Sequence, residues 1–360
     1  MSGTKKRERR QTAGGGGGSP AASGGLNPGR LVVLLLTALG VPVSFFIERS
    51  ADPYLLSVIT FMGVNIILAV SLNLTNGFTG LFSLGHPGFM AIGGYLAAIL
   101  VFPAARKTML LPELPQWLQS VEWHLFPALV AGGLLAALIA VLVGFPVLRL
   151  KGHYLAVASL GFLIIVQVLI TNMEEWTRGP LGLNGLPPKT TLWWVYLWAV
   201  LTVYVCWRVK HSSLGRSMLA IRENAMAAET LGVNLTRTRM LAFVMGAFFA
   251  GVSGGLWAHL VTVITPRSFS IILAFSLVVM VVIGGSGSIT GSILAAGLLT
   301  LIVEVLRPIE EQLVVYGINE IIVSVALILI LVFRPTGFFG SREPALLTGM
   351  MNGSFFRKRA

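Results

Sequence analysis

Charge is scarce in this chain. Asp, Glu, Lys and Arg make up 11% of its 360 residues, where a soluble globular domain carries about 25%. With 55% hydrophobic residues, there is too little polar surface to cover a water-facing exterior. That excludes an ordinary soluble fold and leaves a protein whose outer surface is largely lipid. Cysteine is nearly absent: the single Cys206 excludes an intrachain disulfide framework and any metal site built of cysteine alone. The five histidines, His86, His124, His153, His211 and His259, fall into no metal-binding spacing such as H-E-x-x-H. Neither a hydrolytic set nor a pair of carboxylates within an apolar run is present, so ion-driven cycling through buried acids lacks its parts. The run GGSGSITG at 284–291 has glycines but not the lysine that a phosphate-binding loop needs, which excludes a nucleotide site there.

Long apolar runs are what the chain does have. A bilayer span takes about 20 such residues, and ten candidates occur, at 31–47, 54–75, 85–103, 123–146, 154–172, 191–208, 239–261, 270–284, 288–306 and 317–333. The expected fold is an all-α integral membrane protein of about ten transmembrane helices, some broken at glycines. Residues 1–30 begin KKRERR and continue into a Gly/Ser tract, which reads as a flexible basic tail ahead of an uncleaved first helix. The spanning domain is expected over 31–340 and a second tail over 341–360.

Ten crossings place both ends of the chain on one side. Taken together, the N-terminal tail, 149–151, the polar segment 208–239 and the residues after the last apolar run, 334–360, hold 19 of the 26 basic residues but only four of the 14 acidic ones. Cationic loops stay cytoplasmic, so these segments and both termini are expected inside the cell. The net charge of +12 is thereby explained by topology rather than by nucleic acid.

The segment 208–239, RVKHSSLGRSMLAIRENAMAAETLGVNLTRTR, is the longest polar stretch between two apolar spans. Met218 to Leu231 is rich in good helix formers. Gly232 stands where a helix would end in a left-handed cap, and Asn234 can cap the next one. A single short surface helix is expected here, able to pass force from a soluble partner into the bilayer.

Four further features stand out. In NLTNGFTGLFSLGHPGFMAIGG (73–94), Asn73, Thr75, Asn76, Ser83 and His86 lie among Gly77, Gly80, Gly85 and Gly88. Either this is close helix packing followed by an inside turn, or it is broken backbone beside a polar solute's path. Gly284, Gly285 and Ser286 open a similar run in the other half, which suggests an internal repeat. The outer loop 173–190 carries Glu174, Glu175 and Arg178 and reads either as a simple connection or as a docking surface. Glu304 and Arg307, three residues apart on one helical face, read as a local ion pair.

Four stretches carry a resemblance: GLFSLGHPGFMAIGGY (80–95), LRLKGHYLAVASLGF (148–162), GRSMLAIRENAMAAETLGVN (215–234) and VVIGGSGSITG (281–291). In order and spacing they resemble the integral-membrane permease subunits of branched-chain amino-acid ABC importers, of the LivM type. Permeases for urea and short amides are close relatives within the same resemblance. It implies a membrane subunit in a bacterial plasma membrane, paired with a second homologous permease. Two cytoplasmic ATPases would bind ATP and magnesium, so this chain needs no cofactor or metal, and an external solute-binding protein would deliver Leu, Ile or Val.

The resemblance makes 215–234 the place where the ATPase is met. The general importer pattern, Glu-Ala-Ala, three residues, then Gly, is matched by Ala227, Ala228 and Gly232. Met226 replaces the Glu, Glu223 and Glu229 flank instead, and the downstream proline is absent. Arg216, Arg222, Glu223, Glu229 and Asn234 are expected around that contact, with the alanines facing the ATPase. Asn73, Thr75, Asn76, Gly77, Ser83, Gly85, His86, Gly284, Gly285 and Ser286 are expected beside the translocation path. Glu174, Glu175 and Arg178 are expected at the binding-protein surface. A secondary transporter or a membrane enzyme would need the acidic or catalytic sets that are missing.

Overall fold

The computed structural model describes residues 40–313 apart from 41 and 151, together with scattered positions between 317 and 340. Helix α1, Pro53–Thr79, starts where Asp52 Oδ1 accepts from Tyr54 N at 3.0 Å, with Pro53 at the first helical position, where no N–H is needed. It stops at Gly80, whose φ is 70°. Helix α2, His86–Val101, ends because Pro103 forces Phe102 into extended backbone. The chain then turns by 115° into α3, Ala104–Leu110. The remaining principal helices are α4 (Leu125–Val147), α5 (His153–Asn172), α6 (Leu192–Lys210), α7 (Ser213–Glu223), α8 (Ala225–Thr230), α9 (Leu235–Val261), α10 (Ile271–Gly284) and α11 (Ile289–Leu313).

Among the described residues seven helices are long and apolar enough to cross a bilayer, or eight if the bent pair α2–α3 is one span. Seven of the eight apolar runs expected between 54 and 306 overlap such a helix, and the run 85–103 holds α2, which qualifies only together with α3. The expected spans 31–47 and 317–333 lie largely outside the described residues, and both tails lie wholly outside them.

The glycine-rich runs correct an expectation. Helices α1, α10 and α11 are continuous: Gly77, Gly284 and Gly291 lie within them, and Gly80, Gly85, Gly285 and Gly287 lie in the turns that follow α1 and α10. An interrupted helix facing lipid would leave backbone N–H and C=O groups unpaired in hydrocarbon. At the helix ends those groups find partners. Among the described residues the one sharp bend in a candidate span lies elsewhere, at Phe102–Pro103.

Helix α9 forms the centre. In its most apolar window 67% of residues are buried, against 33% for α5 and α6, which leaves the latter two largely to lipid. Small residues let α9 approach its neighbours. A Cβ on Gly93 of α2 would lie 2.3 Å from Gly251 Cα, and one on Gly132 of α4 would lie 2.6 Å from Gly93 O. The backbones of α2, α4 and α9 thus touch directly. Around them Phe89 packs at a tilt on Phe162, with ring centroids 4.7 Å apart, and meets Phe243 edge-on at 5.2 Å, tying α5 to the same core.

The turns sort into two ends. One end gathers residues 80–85, 148–150, 152, 211–234 and 285–288, and with them Arg149, Arg208, Lys210, Arg216, Arg222 and Arg237. The opposite end gathers α3, the loop 111–124 and the loops 173–191 and 262–270. There β1 (Leu183–Asn184) pairs antiparallel with β2 (Val263–Ile264), and Arg106 Nη1 donates to Gly185 O at 2.7 Å. Gly182 must be glycine here: its φ is 64° and a Cβ would sit 2.1 Å from Ile264 O. Lys107 is fully buried at this end and donates to the carbonyls of Leu118, at 3.2 Å, and Val121. Glu304 and Arg307 form the expected pair at 2.8 Å.

Candidate functional site

The basic end contains a hydrogen-bonded junction that ties the polar segment to both glycine-rich turns. Asn73 is completely buried near the end of α1. A buried amide without partners is costly, and this one is satisfied from the other half of the chain. Its Nδ2 donates to Ser288 O at 2.8 Å and to Ser292 Oγ at 2.9 Å, while its Oδ1 accepts from Gly287 N at 2.8 Å. Two residues before the helix end, Gly77 allows the 285–288 turn to come close: a Cβ there would lie 2.5 Å from Gly287 N.

Arg222, in the last turn of α7, locks the same junction from the polar segment. Its Nη1 donates to Gly77 O at 2.8 Å and to Ser286 O at 2.9 Å. The carbonyls in the last turn of a helix lack intrahelical donors and carry the negative end of the dipole, so a cation suits Gly77 O well. Lys210 adds a third contact, donating from Nζ to Gly287 O at 2.6 Å with the same ammonium 5.6 Å from the Phe78 ring. At Gly287 the backbone has φ 92°, and a Cβ would lie 2.5 Å from Arg222 Nη1, so glycine is demanded twice over.

The first glycine-rich turn is fastened separately. Asn76 Nδ2 donates to Ser83 O at 3.2 Å and Asn76 Oδ1 accepts from Ser83 N at 3.1 Å. Leu84 N donates to Ser159 Oγ of α5 at 2.8 Å. His86 Nε2 lies 2.9 Å from Ser71 Oγ, and Thr75 Oγ1 donates to Ala242 O at 3.4 Å. Gly85 packs against Ser159 and Phe162.

The residues expected beside a path thus fall into two clusters at the basic end. Asn73, Thr75, Gly77, Ser83, Gly85, His86, Gly284 and Gly285 are buried, and Asn76 and Ser286 are half-buried. Asn73, Gly77 and Ser286 meet in one junction, while Asn76, Ser83, Gly85 and His86 tie the first turn to α1 and α5. Gly284 packs on Gly291, and Gly285 approaches Gly340. Sequence reasoning missed Lys210, Gly287, Ser288 and Ser292 as members. The repeated small hydroxyls after Gly285 were the available signal.

The polar segment differs from the single helix expected. Asn224 adopts an extended conformation and its Oδ1 accepts from Ala227 N at 3.0 Å, which ends α7 and caps α8. Asn competes with helical backbone in this way wherever its side chain reaches an amide two or three residues on. Helix α7 turns Gly215, Met218 and Ile221 inward. Gly232, with φ 84°, closes α8, and Asn234 Oδ1 accepts from Arg237 N at 2.9 Å to start α9.

Two of the assigned faces are also revised. Ala228 points into the protein at 2% exposure, whereas Met226 is 78% and Leu231 83% exposed. Ala227, Glu229, Gly232 and Asn234 are exposed with them, as are Arg216 and Glu223. Arg222 faces the junction instead of the outside. At the opposite end Glu174 and Glu175 are exposed, and Arg178 Nη1 donates to Asn184 Oδ1 at 2.6 Å.

The donors and acceptors of the junction are matched to one another, between a surface segment and two turns that join membrane helices.

A family model described as branched-chain amino acid transport system / permease component matches residues 54–333. The high-affinity branched-chain amino acid transport system permease protein LivM of Escherichia coli is 31% identical, with 88% of this chain and 76% of that protein covered. The LivM protein of Salmonella typhimurium is 30% identical over the same shares. The corresponding LivH protein of Salmonella typhimurium is 24% identical, over 77% of this chain and 91% of its own length. No solved structure matches. These relatives are transport components rather than enzymes, and the spanning helices make this a multi-pass membrane protein. The chain belongs to the branched-chain amino acid transport permease family.

Proposed function

We propose that this chain is one of two membrane subunits of an ATP-driven importer and carries branched-chain amino acids across a bacterial plasma membrane. Its basic end faces the cytoplasm, with both tails on that side and about ten spans in all. Two ATPases dock beneath it and carry ATP and magnesium. A LivH-like homologue is the second permease, and a solute-binding protein presents Leu, Ile or Val at the acidic end, where Glu174 and Glu175 are exposed. The relatives' own names supply the cargo class.

The observation that carries the mechanism is Arg222 bonded to Gly77 O and Ser286 O. ATPase movement enters through the exposed side of α8, Met226, Ala227 and Leu231. It reaches α7 and, through Arg222 and Lys210, displaces the ends of α1 and α10 together. Because Asn73 holds the 285–288 turn to α1, the two turns respond as one body. Opening and closing between the two permease subunits follows from that shared displacement.

Reconstitution of the full complex in proteoliposomes tests this. Uptake of radiolabelled leucine should require ATP and the binding protein, and should be competed by Ile and Val but not by urea. Uptake driven by an ion gradient without ATPase subunits would refute the importer. Competition by urea in place of Ile and Val would refute the cargo alone.

A further inference from the structure

Beside the junction, at the same basic end, the 80–82 turn, the start of α5, α8 and the start of α9 line a cavity of about 590 Å³. Its walls are mostly apolar, with Leu81, Phe82, Leu155 and Leu235 among them, but His153 and two charged residues of opposite sign, Glu229 and Arg239, also line it. The Nε of Arg239 is buried without a hydrogen-bond partner. Among the described residues neither side chain enters an ion pair. An arginine with an unsatisfied Nε beside mostly apolar walls is matched best by a phosphate or carboxylate.

We propose that this cavity binds a zwitterionic aminophospholipid of the phosphatidylethanolamine type, its phosphate on Arg239 and its ammonium on Glu229, with the glycerol and upper acyl carbons against Leu81, Phe82, Leu155 and Leu235. Three observations select this ligand. The volume lies in the range of about 300–1,000 Å³ typical of sites for drug-sized molecules, too large for a lone phosphate ion. The cavity lies at the ends of α1, α5 and α9, where the bundle meets the bilayer boundary, and Tyr154 and Val157 beside it on α5 are 77% and 69% exposed. Finally, one cation with one anion suits a zwitterion. Glu229 disfavours an anionic lipid, and a quaternary choline offers it no N–H.

Since α8 forms one wall, a bound lipid would brace α8 against α5 and the 80–82 turn. That consequence rests on the proposed role of α8 in coupling; the binding itself does not. The experiment is thermal unfolding of the purified full-length permease complex, delipidated in detergent and supplemented with phosphatidylethanolamine, phosphatidylcholine or phosphatidylglycerol. Bound lipid is read in parallel by mass spectrometry. At a hundredfold excess over Kd, phosphatidylethanolamine should raise Tm by about 5 °C, with little effect from the other two. Arg239→Gln and Glu229→Gln should each remove that shift, Arg239→Lys should restore part of it, and Glu229→Gln should move the preference toward phosphatidylglycerol. Glu229 is exposed, so its variant keeps the test readable if Arg239→Gln fails to fold. Equal shifts from all three lipids would overturn the proposal, as would retention of phosphatidylethanolamine by both Gln variants. Equal protection by soluble phosphoethanolamine would overturn the membrane source. Because the readout is binding, failure of the importer reading leaves it standing, and only loss of uptake on lipid removal speaks to coupling.

Discussion

Both ends of this molecule solve the same problem with the same chemistry, yet to different effect. At the acidic end Lys107 donates to the carbonyls of Leu118 and Val121, 11 and 14 residues further along the chain. At the basic end Arg222 donates to Gly77 O and Ser286 O, 145 and 64 residues away. A cation bonded to nearby carbonyls folds one loop into a cap. A cation bonded to carbonyls from distant segments makes those segments move together. The acidic end is therefore expected to govern stability and the basic end to govern coupling.

The most severe way to break that contrast is at the two glycines that each end cannot replace. Gly287→Val would place a branched side chain at φ 92° against Arg222 Nη1. Leucine uptake should fall below detection while the protein still reaches the membrane. Gly182→Val, at φ 64° against Ile264 O, should instead lower the amount of folded protein. Membrane yield and uptake per molecule, measured for both, would reverse the contrast if the two outcomes were exchanged.

Next in size is the exchange of the cations themselves. Arg222→Met should cut uptake at least about tenfold, the effect of losing ~1.4 kcal/mol of coupling, and ATP hydrolysis should continue without transport. Lys107→Met leaves two buried carbonyls unpaired and should cost about 1–3 kcal/mol of stability, seen as a lower Tm with transport per folded molecule retained. Paired ATPase and uptake assays on Arg222→Met decide the matter, and a parallel fall in both would count against a transmitting role.

Smaller again is Ala228→Arg. Because Ala228 faces inward, the added bulk should displace α8 from the protein itself, lowering Tm as well as uptake. A variant with unchanged Tm would restore the outward-facing assignment. The smallest effect is expected at Met226→Ala: stability within about 0.5 kcal/mol of the parent, but weaker co-purification of the ATPase. Full retention of the ATPase by this variant would move the docking surface elsewhere.

Much of this architecture could be read from the residues. The apolar runs gave the spans because the bilayer dictates their length, and the clustering of Arg208, Arg216, Arg222 and Arg237 marked one end. Gly232 and Asn234 were legible as cap residues since their conformations are local. Asn224 was passed over: asparagine is tolerated inside helices, and only its side-chain bond to Ala227 N makes it a break. The direction of Ala228 was misread because amphipathicity over six residues is ambiguous and the resemblance supplied the face. The junction itself was invisible. Asn73, Lys210, Arg222 and Ser288 are spread over more than two hundred residues, and no spacing announces a contact made only by tertiary packing.

The interruption at Asn224 bears on how such a machine would lose or keep its stroke. Arg222 is anchored two residues before it, whereas α8 begins immediately after. In the proposed importer, a push along α8 would reach the anchored arginine across the extended backbone of Asn224, not through one rigid helix. Sideways swings would then be absorbed there while axial thrust passes on. The machine would then tolerate a wobbling motor and still answer to its power stroke.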